Sequence, residues 1–218
     1  MDHARLLETL ESFSARICHD LVGPVGAISN GVELLAEDGG ADPEVVSLIA
    51  TSARSASRRL QFFRTAFGAG NTVSGGQAIE GARSLAIAYF EEGKLRLSWP
   101  APQPGVEARA DRNRARLVLD LLLVAADCLP RGGEIGVEIV ADAADGLAVA
   151  IRAEGAQARL PDEQRGAFDA AAAGQPPASP RAVPAWLAGL LLALMGGDLA
   201  VEERPGSVAL SVLLPARR

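Results

Sequence analysis

The sequence predicts an α+β protein in which an antiparallel helical hairpin precedes an α/β sandwich. Three patterns carry that prediction. Apolar residues recur at spacings of three and four through two long N-terminal segments. A glycine-rich break, Gly70-Asn71-Thr72-Val73-Ser74-Gly75-Gly76, follows them. Beyond it, short alternating runs typical of strands interleave with apolar helical runs. The hairpin domain is therefore assigned to residues 1–70 and the second domain to residues 75–218.

The first segment, about 2–37, reads as one long helix and places Leu6, Leu7, Leu10, Phe13, Ile17 and Leu21 on one stripe. The stripe resumes with Ala27, Ile28, Val32, Leu34 and Leu35. Gly23-Pro24 interrupts it, and a proline inside a helical pattern predicts a kink or a local break. Asp38 to Pro43 reads as a turn, with Asp42 capping the next helix and Pro43 in its first position. That helix runs over about 43–67, with Val45, Leu48, Ile49, Ala53, Ala56, Leu60, Phe63 and Phe67 along its apolar side. Two helices cannot enclose a core. Their stripes are covered either by a second copy, as a four-helix bundle across a dimer, or by the rest of the same chain. The dimer is favoured because the stripe runs the full length of both helices.

In the second domain, Ser74 to Glu91 reads as a helix and Lys94 to Trp99 as a strand, stopped by Pro100, Pro102 and Pro104. Asp111 to Leu129 is a strongly apolar helix closed by Pro130. Glu134–Val140 and Leu147–Ala153 read as paired strands. Residues 155–183, rich in Ala, Pro and Gly, predict an irregular segment with a short helix. Ala185 to Met195 is another apolar helix, and Leu199–Glu203 with Ser207–Leu214 form a last hairpin around Arg204-Pro205-Gly206.

Composition excludes several classes. Hydrophobic residues at 49% support a packed core, although aromatics are only 4%, so Leu, Val, Ile and Ala must build it. A net charge of -6 argues against a nucleic-acid binder. No apolar run is long enough to span a bilayer, so no membrane association is expected. The N-terminus lacks a basic region followed by an apolar stretch, and Cys18 and Cys128 form neither a disulfide framework nor a zinc spacing. The expected location is cytoplasmic.

Of the two histidines, His3 sits near the N-terminus and reads as an exposed bystander. His19 is followed by Asp20 and points away from the stripe that holds Ile17 and Leu21. An outward imidazole has a neutral, nucleophilic fraction at physiological pH. A neighbouring carboxylate can fix its tautomer and stabilise the cation formed on attack. A solvated histidine beside a kink would look the same at this level.

The segment His19-Asp20-Leu21-Val22-Gly23-Pro24 resembles the phospho-acceptor motif of two-component histidine kinases: His, acid, Leu, two variable residues, Pro. The longer run Arg16 to Leu35, with Ser52-Ala53-Arg54 and Leu60 to Gly68, is similar to the ChpT-type histidine phosphotransferases of alphaproteobacteria. The resemblance extends along essentially the whole chain and is sharpest over residues 12–68. It implies a hairpin that dimerises as a four-helix bundle, and a C-terminal domain with the fold of a kinase ATP-binding domain but not its activity. It implies a phosphorelay from the receiver domain of a hybrid kinase to response regulators that control the cell cycle. Carried over, His19 is the phospho-acceptor and Asp20 its orienting acid.

Measured against the three motifs of kinase ATP domains, this chain departs at each. The Mg²⁺-holding Asn corresponds to Val124 in Asp120-Leu-Leu-Leu-Val-Ala125, which cannot coordinate a metal. The adenine-reading Asp corresponds to Ala153, and the second glycine of that motif to Gln157. The phosphate-binding glycines correspond to Ala182-Val183-Pro184-Ala185, where Pro184 lacks an amide hydrogen. Gly132-Gly133 and Gly196-Gly197 anchor this alignment. No ATP binding and no cofactor are therefore expected, and Mg²⁺ is expected to arrive in the receiver's acidic pocket.

At 1.5 Å per residue, an antiparallel hairpin turning near residue 40 sets His19 level with about residue 61. Arg58, Arg59 and Gln61 are thus candidates to lie beside the phosphate or the docked receiver, and so are Arg16, Gly23 and Pro24 beside His19 itself. The basic residues read equally well as a solvated face. The expected partners are a second copy of the chain and receiver domains. Two rival functions remain: an autophosphorylating kinase with a divergent nucleotide site, and a non-enzymatic dimeric adaptor.

Overall fold

The structure is a computed structural model and describes residues 3–37, 42–68, 77–142 and 144–216. Most of the turn expected over 38–43 and the junction expected at 70–76 lie outside the described residues.

Helix α1 spans His3–Glu37 and α2 spans Pro43–Ala66. Pro24 lies inside α1, which runs as the one long helix expected, without a break at Gly23-Pro24. The missing amide of Pro24 costs only one rung of the ladder, the bond to the Asp20 carbonyl four residues back. Asp42 caps α2 by accepting from the Glu44 amide at 2.9 Å, with Pro43 in the first turn. The two helices approach closely at Gly31, where a Cβ would sit 2.6 Å from Ile49 Cγ1.

The second domain continues with α3 (Ala78–Phe90), β1 (Leu95–Ser98), a short α4 (Val106–Arg109) and α5 (Arg112–Asp127). Then come β2 (Gly133–Ala141), β3 (Leu147–Glu154), α6 (Asp162–Ala172), a 3₁₀ turn at Pro180–Ala182, α7 (Val183–Met195), β4 (Asp198–Arg204) and β5 (Ser207–Leu214). The strands form one sheet in the order β1-β2-β3-β5-β4. The β1–β2 pair is parallel, because α4 and α5 carry the chain back across one face, and the other pairs are antiparallel. Alternation sends Ile135, Val137 and Ile139 of β2, Val149, Ile151 and Ala153 of β3, and Val208, Leu210 and Val212 of β5 into the core. Nearly all of α5 from Leu117 to Ala125 and of α7 from Val183 to Gly189 is buried, most of it in the layer over that sheet face. Each fully buried Leu contributes roughly 1.5–3 kcal/mol. Gly133, which opens β2 at φ +152, admits no other residue, since a Cβ would lie 2.1 Å from the Glu154 carbonyl oxygen.

The hairpin stripe is divided between two environments. At the C-terminal end of α2, Phe62, Phe63 and Ala66 are buried, with α3 and α5 packed against the helix. A chain of ring contacts crosses the seam from Trp186 to Phe13 (6.2 Å), Phe67 (5.5 Å), Phe63 (5.3 Å), Phe62 (6.1 Å) and Tyr89 (4.4 Å). Elsewhere Leu6, Leu7, Leu10, Val22, Val25, Val32 and Leu34 of α1 remain exposed in the single chain, as do Val46, Leu48 and Leu60 of α2.

Asp120 is fully buried on α5, and neither carboxylate oxygen has a hydrogen-bond partner. Burial pushes its pKa well above the ordinary 3.8, against the pull of the Arg116 charge. The folded state therefore binds a proton that the unfolded chain has released. Its contribution to stability is full below the ordinary value and is lost as pH rises through the raised one. Asp120→Asn should flatten the fall in melting temperature as pH rises above the ordinary carboxyl range. Equally steep falls in both proteins would show that Asp120 is not the group responsible.

Candidate functional site

His19 lies midway along α1 with 75% of its side chain exposed, while Ile17 and Leu21, to either side, are half-buried. Its Nδ1 is 3.0 Å from Asp20 Oδ1. A carboxylate only accepts, so this contact assigns the proton of the neutral ring to Nδ1 and leaves the Nε2 lone pair open to solvent. Pro24 acts on the same residue from the other side, because its missing amide leaves the Asp20 carbonyl without its helical donor.

Asp20 is itself held. Its side chain is only 13% exposed, and its Oδ2 accepts from Arg16 Nε at 3.0 Å. Arg16 is one turn earlier on α1, 9% exposed at the side chain, and its Nη1 donates to Asp127 Oδ2 at 3.3 Å. Burial works against the Arg16 charge, but the carboxylates of Asp127 and Asp20 outweigh it and hold the guanidinium pKa above its ordinary value. Asp127, the last residue of α5, also accepts from Gln164 Nε2 of α6 at 2.6 Å. Burial lifts the Asp127 carboxyl above the usual range, and Arg16 and the Gln164 amide restrain the rise.

The Tyr89 ring of α3 borders this cluster. Burial, and then the Asp20 charge, push its pKa up to about 12, with Arg59 and Arg16 pulling the other way. It is a neutral phenol at physiological pH. The Arg59 guanidinium sits over this ring, 5.6 Å from the centroid. Arg59 is thus brought towards the acidic side of His19. Arg58 points elsewhere: it pairs with Glu91 and with Glu92 (3.1 Å), just beyond the end of α3. Gln61 donates to Ser57 on its own helix. Gly23 is exposed and Pro24 half-buried, one turn beyond His19. His3 is exposed.

Residues 79–206 match the family model for the histidine phosphotransferase C-terminal domain. This chain belongs to the histidine phosphotransferase family. Over 147 residues, 67% of this chain and 68% of the relative, it is 40% identical to protein phosphotransferase ChpT of Brucella abortus (strain 2308). A solved bacterial phosphotransferase is 31% identical and superposes with a TM-score of 0.74 over 94% of this chain and 96% of its own. The histidine kinase domain of the Erythrobacter litoralis EL346 blue-light activated histidine kinase superposes at a TM-score of 0.50, over 88% of this chain and 96% of its own, with 11% identity. The phosphotransferase therefore shares a fold with a kinase domain to which it has little sequence likeness.

In the phosphotransferase, the positions that sequence sets against a kinase nucleotide site are mostly core. Val124 and Ala182 are fully buried, Ala153 is nearly so, and Pro184 is buried in the first turn of α7. Only Gln157, in the turn after β3, is exposed. The Trp186 indole donates to the Gln175 carbonyl at 2.6 Å, which ties α7 to the loop after α6. Two concavities, of about 430 and 510 Å³, lie along the outer sheet face and are lined by none of these residues. Among the described residues, no group of three or more His, Cys, Asp or Glu could hold a metal ion. No helix among them is long and apolar enough to cross a membrane. The Cys128 thiol is buried, and burial followed by the Asp127 and Glu203 charges pushes its pKa up to about 12, so it is no nucleophile.

Sequence reasoning found His19, Asp20 and Arg16 but missed Asp127, Gln164 and Tyr89. Asp127 is 111 residues from Arg16, and no local pattern connects them. The one available signal was a carboxylate closing the apolar run Leu121 to Ala126.

Proposed function

We propose that this phosphotransferase carries the phosphoryl group on His19 Nε2, taking it from the aspartyl phosphate of one receiver domain and passing it to the aspartate of another. The observation that carries the reading is the exposed His19 ring, its Nδ1 engaged by the held carboxylate of Asp20 and its Nε2 open. In the forward step the Nε2 lone pair forms the N–P bond while the P–O bond to the receiver's aspartate breaks. The aspartate leaves with the electron pair as a carboxylate. The Nδ1 proton stays in place, and the cation that develops on the ring faces Asp20. Transfer to the next receiver reverses these bonds. The work asked of this chain is positioning and charge compensation, with Mg²⁺ supplied by the receiver's acidic pocket.

The same reading takes the exposed apolar side chains of α1 and α2 as the contact with a second copy, which completes a four-helix bundle. It also takes the second domain as one that binds no ATP, because Val124, Ala153 and Pro184 offer no ligand and are buried in side-chain packing. The partners are receiver domains of a hybrid kinase and of response regulators, met in the cytoplasm.

Label transfer from a phosphorylated receiver tests the central step. His19→Ala should take up none while keeping the wild-type melting temperature, since an exposed helical position accepts alanine. Asp20→Asn should slow uptake by about a hundredfold, the low end for acid–base assistance. Label on His19→Ala would overturn the reading. Titration calorimetry with Mg²⁺ and ATP should give no heat of binding, and micromolar affinity would favour an autophosphorylating kinase. Light scattering should report twice the chain mass of 22.5 kDa, and a folded monomer would rule out the bundle.

A further inference from the structure

The bonds behind His19 continue past Asp20 into the second domain. Asp20 uses its two oxygens for two different tasks, Oδ1 for the imidazole and Oδ2 for Arg16. Arg16 likewise divides its donors, Nε to Asp20 and Nη1 to Asp127. Asp127 Oδ2 is the shared acceptor for Arg16 and for Gln164 Nε2, and Gln164 is fully buried on α6 and reaches the Arg181 carbonyl at 3.4 Å. Five side chains from α1, α5 and α6 thus form one chain of contacts that ends on the nucleophile.

A free Arg side chain has many rotamers, and a carboxylate held by one mobile cation has no fixed azimuth. What removes that freedom here is the far end of the chain. Gln164 is fully buried and donates to Asp127, and Asp127 holds the guanidinium whose Nε meets Asp20. In Brønsted terms the gain is small per bond, but it acts where charge develops on the ring. Because Asp20 Oδ1 selects the Nδ1–H tautomer, loosening the chain lowers the share of molecules in which Nε2 is ready to attack.

We propose that Asp127 and Gln164 are positioning residues for His19, acting through Arg16 and Asp20, so that the second domain serves the transfer by holding the phospho-acceptor in its reactive tautomer. This rests on His19 being the acceptor. The alternative is that the Arg16–Asp127 pair only fastens the two domains together. A fastening role would change stability and leave the chemistry of the ring untouched.

A double-mutant cycle on the full chain separates the two, with uptake of radiolabelled phosphate from a phosphorylated receiver domain as the readout. Asp127→Ala should slow uptake roughly tenfold at saturating receiver, within the range that residues acting at a distance command, with the half-saturating receiver concentration unchanged. Introduced on top of Asp20→Asn, it should slow uptake less than about twofold further, because the link it acts through is already cut. Nitrogen-15 spectra of the His19 ring should show Nδ1 less fully protonated in Asp127→Ala than in wild type. Should Asp127→Ala fail to fold, Asp127→Asn and Gln164→Leu carry the same cycle, with smaller changes in the same direction. Unchanged uptake and an unchanged ring spectrum in a folded variant would overturn the proposal. So would equal slowing in the wild-type and Asp20→Asn backgrounds. If wild type takes up no label, or if His19→Ala does, it is the assignment of His19 that fails.

Discussion

One buried guanidinium couples the two halves of this protein. Arg16 sits where α1 meets the second domain, and its charge is tolerable there only because Asp20 and Asp127 lie on two sides of it. Removing either acid would leave a cation largely out of water with half its compensation. The same guanidinium bonds the Asp20 carboxylate through Oδ2, and the other oxygen of that carboxylate meets Nδ1 of His19. A histidine on an exposed helix surface would otherwise be an ordinary solvated side chain.

Around that polar link the seam is built from aromatic rings. The chain has nine aromatic residues, and seven of them, Phe13, Phe62, Phe63, Phe67, Tyr89, Phe90 and Trp186, belong to the network of ring contacts there. Edge-on and stacked contacts of this kind give large burial with defined geometry. The sheet and its helices are packed mainly with aliphatic residues and Ala. Low aromatic content is thus a matter of placement: the bulky rings go where two units must dock in one orientation.

The second domain has the fold of a histidine kinase domain. Where a nucleotide site would need a metal-binding amide, an adenine-reading acid and open backbone amides, this chain has Val124, Ala153 and Pro184 in its core. The same α5 that bears Val124 ends in Asp127, which faces the hairpin. Apolar residues along one stretch of α5 and a carboxylate at its end are compatible because they meet different neighbours. Asp120, buried on that helix without a hydrogen-bond partner, remains a local cost.

Much of the protein was determined by sequence alone, for physical reasons that operate locally. The stripes of α1 and α2, the Asp42 cap and the alternation in β2, β3 and β5 are properties of neighbouring residues, so periodicity and capping preference suffice to read them. The His19-Asp20 pair was legible because it is contiguous, and Arg16 because it is one helical turn away. The parallel pairing of β1 with β2 and the short α4 were not. They depend on packing and crossover geometry that no window of sequence contains. Tertiary structure alone decided that Arg58 turns to Glu91 and Glu92, while Arg59 covers Tyr89. It alone brought Asp127 and Gln164 behind the phospho-acceptor motif. Those contacts join residues far apart in the chain, 111 positions from Arg16 to Asp127 and 37 from Asp127 to Gln164. Such proximity is created by the docking of whole elements rather than by any local preference.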